Sequence, residues 1–241
     1  MAKRRIDILL VEKGLVESRE KARVMVMEGA VTADSRTIVK PSTLVNEDAD
    51  VQILQGPAFV SRGGLKLEYA LDQLQIDING LVAVDVGAST GGFTDCLLKR
   101  GAGKVYAVDV GYGQLDYKLR QDSRVAAMER VNARYPFSLP EVVDLATVDL
   151  SFISLEKVVP TVAELVKSGG YIIALVKPQF EAGKSQVGRG GLVKDPQVHA
   201  AVLGRFINWA VDHEFRLLGL VASPILGAEG NKEFLVLLQK Q

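Results

Sequence analysis

A chain of 241 residues with 29 basic and 29 acidic side chains carries no formal net charge, so any basic surface must come from local segregation. Hydrophobic residues make up 48% and charged residues 24%, a globular balance that excludes wholesale disorder. The single cysteine, Cys96, excludes an internal disulfide and a multi-cysteine zinc site, and it fits a reducing compartment.

The N-terminal stretch MAKRRIDILLVEKGL puts basic residues before an apolar run, but Asp7, Glu12 and Lys13 break that run and no small-residue cleavage site follows. No uninterrupted apolar segment approaches the ~20 residues needed to span a bilayer. The expectation is a cytoplasmic protein with no membrane association.

Two short helical patterns come first. Ile6, Leu9 and Leu10 form a stripe that stops at Gly14. Ser18 is placed to cap a second helix whose Ala22, Met25 and Val26 share a face and whose end is marked by Gly29. Arg19 and Arg23 lie four apart and share another face of that helix. A hairpin turning at Asp34-Ser35 is expected next, with residues 51–54 returning as a strand. Composition changes at Gly56-Pro57 and again at Ser61-Arg62-Gly63-Gly64, which predicts two domains, residues 1–60 and 61–241.

Beyond the junction, Leu67, Ala70, Leu71 and Leu74 give one helical face. Apolar runs then recur at 81–86, 105–110, 125–128, 145–150, 171–176, 217–221 and 234–238. Most are separated by helix-length segments, so the expected fold is α/β, a mainly parallel Rossmann-like sheet covered on both faces. The last two runs are close together and predict an antiparallel pair at one end.

The first run leads directly into Asp85-Val86-Gly87-Ala88-Ser89-Thr90-Gly91-Gly92-Phe93 and then a helical stretch. Glycines let this backbone turn sharply and approach a ligand, and the helix start offers free N–H groups to an anion. Asp109 ends the next run about 20 residues after Gly87, where a carboxylate can accept from both ribose hydroxyls of an adenosine-containing cofactor. The spacing is neither G-x-G-x-x-G nor a P-loop, which argues against ATP hydrolysis of the usual kind. Asp149 and Lys177 close the fourth and fifth runs, at the sheet edge where open parallel sheets bind ligands. Taken alone, each such charge reads as a solvated surface group.

Five motifs together change that reading: SRGGLKL from Ser61, DVGASTGGFTDC from Asp85, VDVGYGQL from Val108, DLSFISL from Asp149 and VKPQFE from Val176. In these motifs the chain resembles the TlyA family over essentially its whole length. That family, often labelled haemolysin, joins a small α+β S4-like RNA-binding domain to an FtsJ-like methyltransferase domain. The resemblance implies 2′-O-methylation of ribose in ribosomal RNA, with S-adenosylmethionine (SAM) as cofactor and ribosomal RNA or subunits as partner.

It also implies a lysine–aspartate–lysine–glutamate set on Lys66, Asp149, Lys177 and Glu233, with Glu229 a neighbouring competitor for the last place. The implied cofactor set is Asp85, Gly87, Ser89, Gly91, Gly92, Phe93, Asp109, Val110, Asn132 and Asp149. Asn132 stands where FtsJ-like proteins carry an acidic residue beside the adenine, and an amide still offers one acceptor and donors. The S4 likeness assigns phosphate contacts to Arg4, Arg5, Arg19, Lys21 and Arg23, and to Lys3 beside them.

Because the SAM sulfonium is already electrophilic, no metal is expected. Cys96 reads as a packing residue, and with no other cysteine a cytosine-C5 mechanism lacks its nucleophile. Asp149-Leu150-Ser151-Phe152 lacks the prolines of the amino-group methyltransferase signature. His199, Trp209 and His213 fall in an expected helix and read as structural, while residues 183–191 form either a lid over RNA or a plain loop. A membrane-active haemolysin and a catalytically silent ribosome assembly factor stay open as alternatives.

Overall fold

The computed structural model describes residues 3–27, 29–34, 36–54, 58–227 and 230–241. Ser35 of the expected turn, the Gly56-Pro57 junction and Glu229 lie outside them. The chain divides into two compact units, Met1–Arg62 and Gly63–Gln241.

In the first unit, β1 (Lys3–Arg5) leads into α1 (Ile6–Glu12) and α2 (Arg19–Met27). The strands β2 (Val31–Ala33), β3 (Arg36–Thr37), β4 (Leu44–Asn46) and β5 (Val51–Ile53) follow. Ile6, Leu9 and Leu10 of α1 pack with Ala22 and Val26 of α2 against Val31 and Val51. Ser18 Oγ accepts the Lys21 amide at 3.2 Å and so caps α2. Gly14 and Gly29 end the two helices with φ of 68° and 74°, a left-handed backbone that glycine adopts without a Cβ clash. β2 pairs antiparallel with both β3 and β5, and β1 pairs with β4.

The second unit is built on a seven-stranded sheet. Its elements are α3 (Gly63–Gln73), β6 (Val82–Val86), α4 (Gly92–Lys99), β7 (Lys104–Asp109), α5 (Tyr117–Gln121), β8 (Val125–Glu129) and β9 (Val143–Val148). They continue with α6 (Val159–Ala163), β10 (Val166–Val176), α7 (Pro178–Glu181), α8 (Pro196–Asp212), β11 (Phe215–Ala222) and β12 (Phe234–Lys240). The strand order is β11-β12-β10-β9-β6-β7-β8, a Rossmann-like arrangement in which β6 is central.

All neighbours from β10 through β8 run parallel. The last two strands, β11 and β12, form the antiparallel pair expected at one end of the sheet. Within it β12 inserts between β10 and β11, antiparallel to both, so the final run is an interior strand and β11 forms the edge. This insertion brings the start of β12 to the carboxyl edge of the parallel strands. The core joins Val84, Val86, Val108, Val148, Ile172 and Val236 to helices α6 and α8. Trp209 stacks on Phe206, His213 and Phe215, which gives it a packing role.

Candidate active site

The chemistry gathers along the carboxyl edge of β6, β7, β9 and β10. An open cleft of about 200 Å³ lies there. It is walled by Val86, Val108, Val131, Ala133, Leu150, Ile153 and Val158, with Gly87, Asp109, Val110, Asn132, Arg134 and Ser151 also in its lining. Apolar walls with a few convergent polar groups are the usual construction of a cofactor site.

Gly87, with φ of 87°, turns the chain out of β6 where a Cβ would come within 2.2 Å of the Asp149 carbonyl oxygen. Only glycine fits both that backbone and that approach. Asp109 Oδ2 accepts the Ser89 amide and Oδ1 the Gly111 amide, each at 2.7 Å. Each oxygen keeps a further lone pair, which suits a ribose diol. The bond to Asp109 also holds Ser89 at φ 49°, a backbone that non-glycine residues seldom adopt. Asn132 Oδ1 accepts the Arg134 amide at 3.1 Å, which leaves its side-chain N–H groups for the cleft.

Other members of the expected cofactor set face elsewhere. Asp85 is fully buried, and its carboxylate accepts the Thr94 hydroxyl at 2.7 Å and the Thr147 hydroxyl at 2.9 Å. Burial pushes its carboxyl up to about 6, against the opposing pull of those hydroxyls. Asp85 therefore ties β6, α4 and β9 together beneath the loop, and its side chain does not reach a ligand. The Phe93 ring is buried, so this residue offers only its backbone N–H. A Cβ on Gly91 would meet Leu119 and Leu115, so its glycine serves packing and a φ of 97°. Gly92 begins α4 and presents an amide at the helix start.

The four expected catalytic residues form two ion pairs. Lys177 Nζ lies 2.5 Å from Asp149 Oδ1 and donates to Ser151 Oγ at 3.2 Å. Lys66 Nζ, on the first turn of α3, lies 2.5 Å from Glu233 Oε2, and that carboxylate is almost fully buried. Val176 pairs with Phe234, so continuing the antiparallel register by one step sets Lys177 opposite Glu233. Gly227 packs so closely on the Glu233 carboxylate that a Cβ there would lie within 3 Å of both its oxygens.

Several residues here had no role on sequence grounds. Phe152 is 90% exposed at φ 64°, with its ring centroid 4.8 Å from that of Phe180. Lys177 Nζ lies 6.0 Å from the Phe180 centroid, so the half-buried member of this aromatic pair stands beside the lysine. Glu181 is buried beneath the same loop. Asn231 accepts the Val193 amide and donates to the Gly191 carbonyl, each at 2.9 Å, pinning the 183–194 segment close in sequence to Glu233. His199 contacts the Val193 carbonyl at 2.9 Å, a structural role.

Most cations assigned to RNA in the first unit are already paired. Arg5 and Arg19 both grip Asp7, a carboxylate with no exposed surface, at 2.9 and 3.0 Å. Arg4 pairs with Glu47 and Lys21 with Glu17. Arg23 and Lys3 are exposed without a partner among the described residues, as is Lys40, a residue that the sequence reading left without a site role. The helical spacing of Arg19 and Arg23 fixed a shared face but could not reveal that Asp7 claims one of them.

Residues 59–240 match the FtsJ-like methyltransferase family and residues 4–51 the S4 domain. The chain is 44% identical to the 16S/23S rRNA (cytidine-2′-O)-methyltransferase TlyA of Mycobacterium tuberculosis, covering all of this chain and 92% of that one. This is a TlyA-type FtsJ-like methyltransferase. A provisionally named rRNA methyltransferase, YqxC of Bacillus subtilis, is 48% identical over 97% of this chain and 85% of its own. A solved chain provisionally named a hemolysin, from Streptococcus thermophilus, superposes with a TM-score of 0.75 at 43% identity. That superposition covers all of this chain and 90% of the other.

The cofactor of this FtsJ-like methyltransferase is SAM, and the residues present fit it. Gly87 lets the loop after β6 pack directly on the Asp149 backbone at the cleft, Asp109 has free lone pairs for a ribose, and apolar walls suit an adenine.

Proposed function

We propose that this chain methylates the 2′-hydroxyl of a ribose in ribosomal RNA, with SAM as methyl donor. The observation that carries the reading is the Lys177–Asp149 pair, held at 2.5 Å on the loop that continues into the cleft wall. The names of the M. tuberculosis and B. subtilis relatives support ribosomal RNA as the substrate class.

When bound, SAM supplies a methyl on a sulfonium, an electrophile that needs no further activation. The remaining difficulty is a weakly acidic hydroxyl that must be aligned and must lose its proton. Holding reactants in line can remove about 7–11 kcal/mol of barrier in favourable cases. Asp109 and Asn132 hold the nucleoside end of the cofactor, and the free amides at the start of α4 receive an anionic group. Lys177 Nζ engages the acceptor 2′-oxygen, with Asp149 and Ser151 holding the amine in place. The proton passes from the hydroxyl to the Lys177–Asp149 pair as the new O–C bond forms and the methyl–sulfur bond breaks, its electron pair returning to sulfur. Lys66, neutralised by Glu233, stands beside Lys177 through the β10–β12 register. The exposed face of Phe152 offers a stacking surface for a base next to that ribose.

Among the described residues no helix is long and apolar enough to cross a membrane. The deciding experiment incubates the chain with methyl-labelled SAM and ribosomal subunits, then digests the RNA. Label is expected in an alkali-resistant dinucleotide, the product of ribose 2′-O-methylation. Label on a base would overturn the ribose assignment. RNA binding without any transfer would point to a silent assembly factor, and lysis of erythrocytes without transfer to a haemolysin.

A further inference from the structure

Glu181 closes α7, four residues after Lys177, and its side chain is 1% exposed. A carboxylate in that position is tolerated only when donors surround it. Its Oε1 accepts the Leu155 amide at 2.7 Å, and its Oε2 accepts the Ser154 hydroxyl at 2.8 Å. Arg205 of α8 donates to Oε2 at 3.1 Å and to the Glu181 carbonyl at 2.8 Å, while also pairing with Glu156 at 3.0 Å.

These bonds act on the segment 149–154, which carries Asp149, Ser151 and Phe152 and has no helix or strand of its own. Its near end is fixed where the Asp149 amide donates to the Val86 carbonyl at 3.0 Å. Its far end is tied by Glu181. A closed ring results: Lys177 leads through α7 to Glu181, across to Ser154 and Leu155, and back along the loop to Ser151 and Asp149, which grip Lys177. Both covalent arms are short, so a shift at Glu181 is transmitted to the distance between the lysine and its partners.

We propose that Glu181 is a positioning residue, holding Asp149 and Ser151 against Lys177 so that the amine is aimed at the acceptor hydroxyl. This inference rests on the methyl-transfer reading above. Glu181→Gln keeps the shape and the acceptor for Leu155 but turns an amide nitrogen towards the Arg205 guanidinium, setting donor against donor. The full-length variant is expected to lose roughly 10–100-fold in kcat, the scale of an ångström-sized misplacement. Its SAM affinity and RNA KM should change far less than kcat, because Asp109 and Asn132, which hold the nucleoside end of the cofactor, lie outside the ring, although Leu150, Ser151 and Ile153 line the cleft from it.

A second readout is independent of turnover. At fixed pH, the rate at which an amine-selective acylating reagent labels Lys177 should rise severalfold, while the rate at Lys66 stays unchanged. Ser154→Ala, which removes one arm only, should move both readouts in the same direction by less, and it carries the test if Glu181→Gln does not fold. Wild-type kcat together with wild-type Lys177 reactivity in either folded variant would overturn the proposal. So would a fall in kcat matched by a fall in SAM affinity, since that marks general destabilisation. A wild-type chain that transfers no methyl would overturn the functional reading, while Lys177 reactivity would still decide the ring.

Discussion

Asp85 shows how a motif residue acts without touching a ligand. Its carboxylate joins the end of β6 to Thr94 on α4 and Thr147 on β9, which sets the path of the glycine loop. The arrangement costs stability at neutral pH. Burial raises the folded carboxyl to about 6, the two hydroxyls oppose the shift, and the charge of Asp149 adds a smaller push. The folded state thus binds this proton more tightly than the unfolded chain does, so stability falls as pH rises from about 4 to about 6 and is level above. The size of that loss is on the order of 3 kcal/mol. Asp85→Asn cannot ionise and lacks this part of the slope. Denaturant titrations of both proteins at pH 4 and pH 7 should show the variant gaining on wild type between them. An unchanged difference would mean that Asp85 is not perturbed as described.

At the scale of elements, the helices of the first unit and all seven strand runs of the second were legible because their signals are local. Parallel strands buried on both faces read as continuous apolar runs, and Gly14, Ser18 and Gly29 punctuate the helices. The insertion of β12 was not legible, since pairing order is settled by tertiary packing. In the same way, α2 was readable but its charge state was not. Arg19 balances the buried Asp7, whose carboxyl is held below its usual value first by Arg5 and then by Arg19. Reversing Arg19 would replace a cation that neutralises the buried Asp7 with a second carboxylate beside it and damage the fold, so it is a poor probe of RNA binding. Lys3, Arg23 and Lys40 are the clean probes. Replacing all three with glutamate should weaken ribosomal RNA binding, flatten its salt dependence and leave SAM affinity intact, as read by filter binding across a salt series. Full affinity with an unchanged salt slope would assign the RNA surface to other residues.

At the scale of the whole molecule, zero net charge conceals a division of labour between an S4 unit and a methyltransferase unit. The catalytic assignment is legible only in part. Asp149 and Lys177 could be placed at strand ends from spacing alone. Lys66 and Glu233, 167 residues apart, could be joined only through family resemblance, because no local pattern records such a contact. Glu181 and Phe152 escaped because a buried clamp and an exposed ring depend on where a loop returns.

The central claim is that Lys177 handles the acceptor hydroxyl while the cofactor is held elsewhere. Single-turnover methyl transfer to ribosomal subunits by Lys177→Ala, measured beside calorimetric SAM binding, tests it most directly. Transfer should fall by ~10²–10⁴-fold with SAM affinity unchanged, and Lys177→Arg should not restore it, because a guanidinium stays protonated and differs in shape. Wild-type turnover in a folded Lys177→Ala protein that still binds SAM would contradict the account.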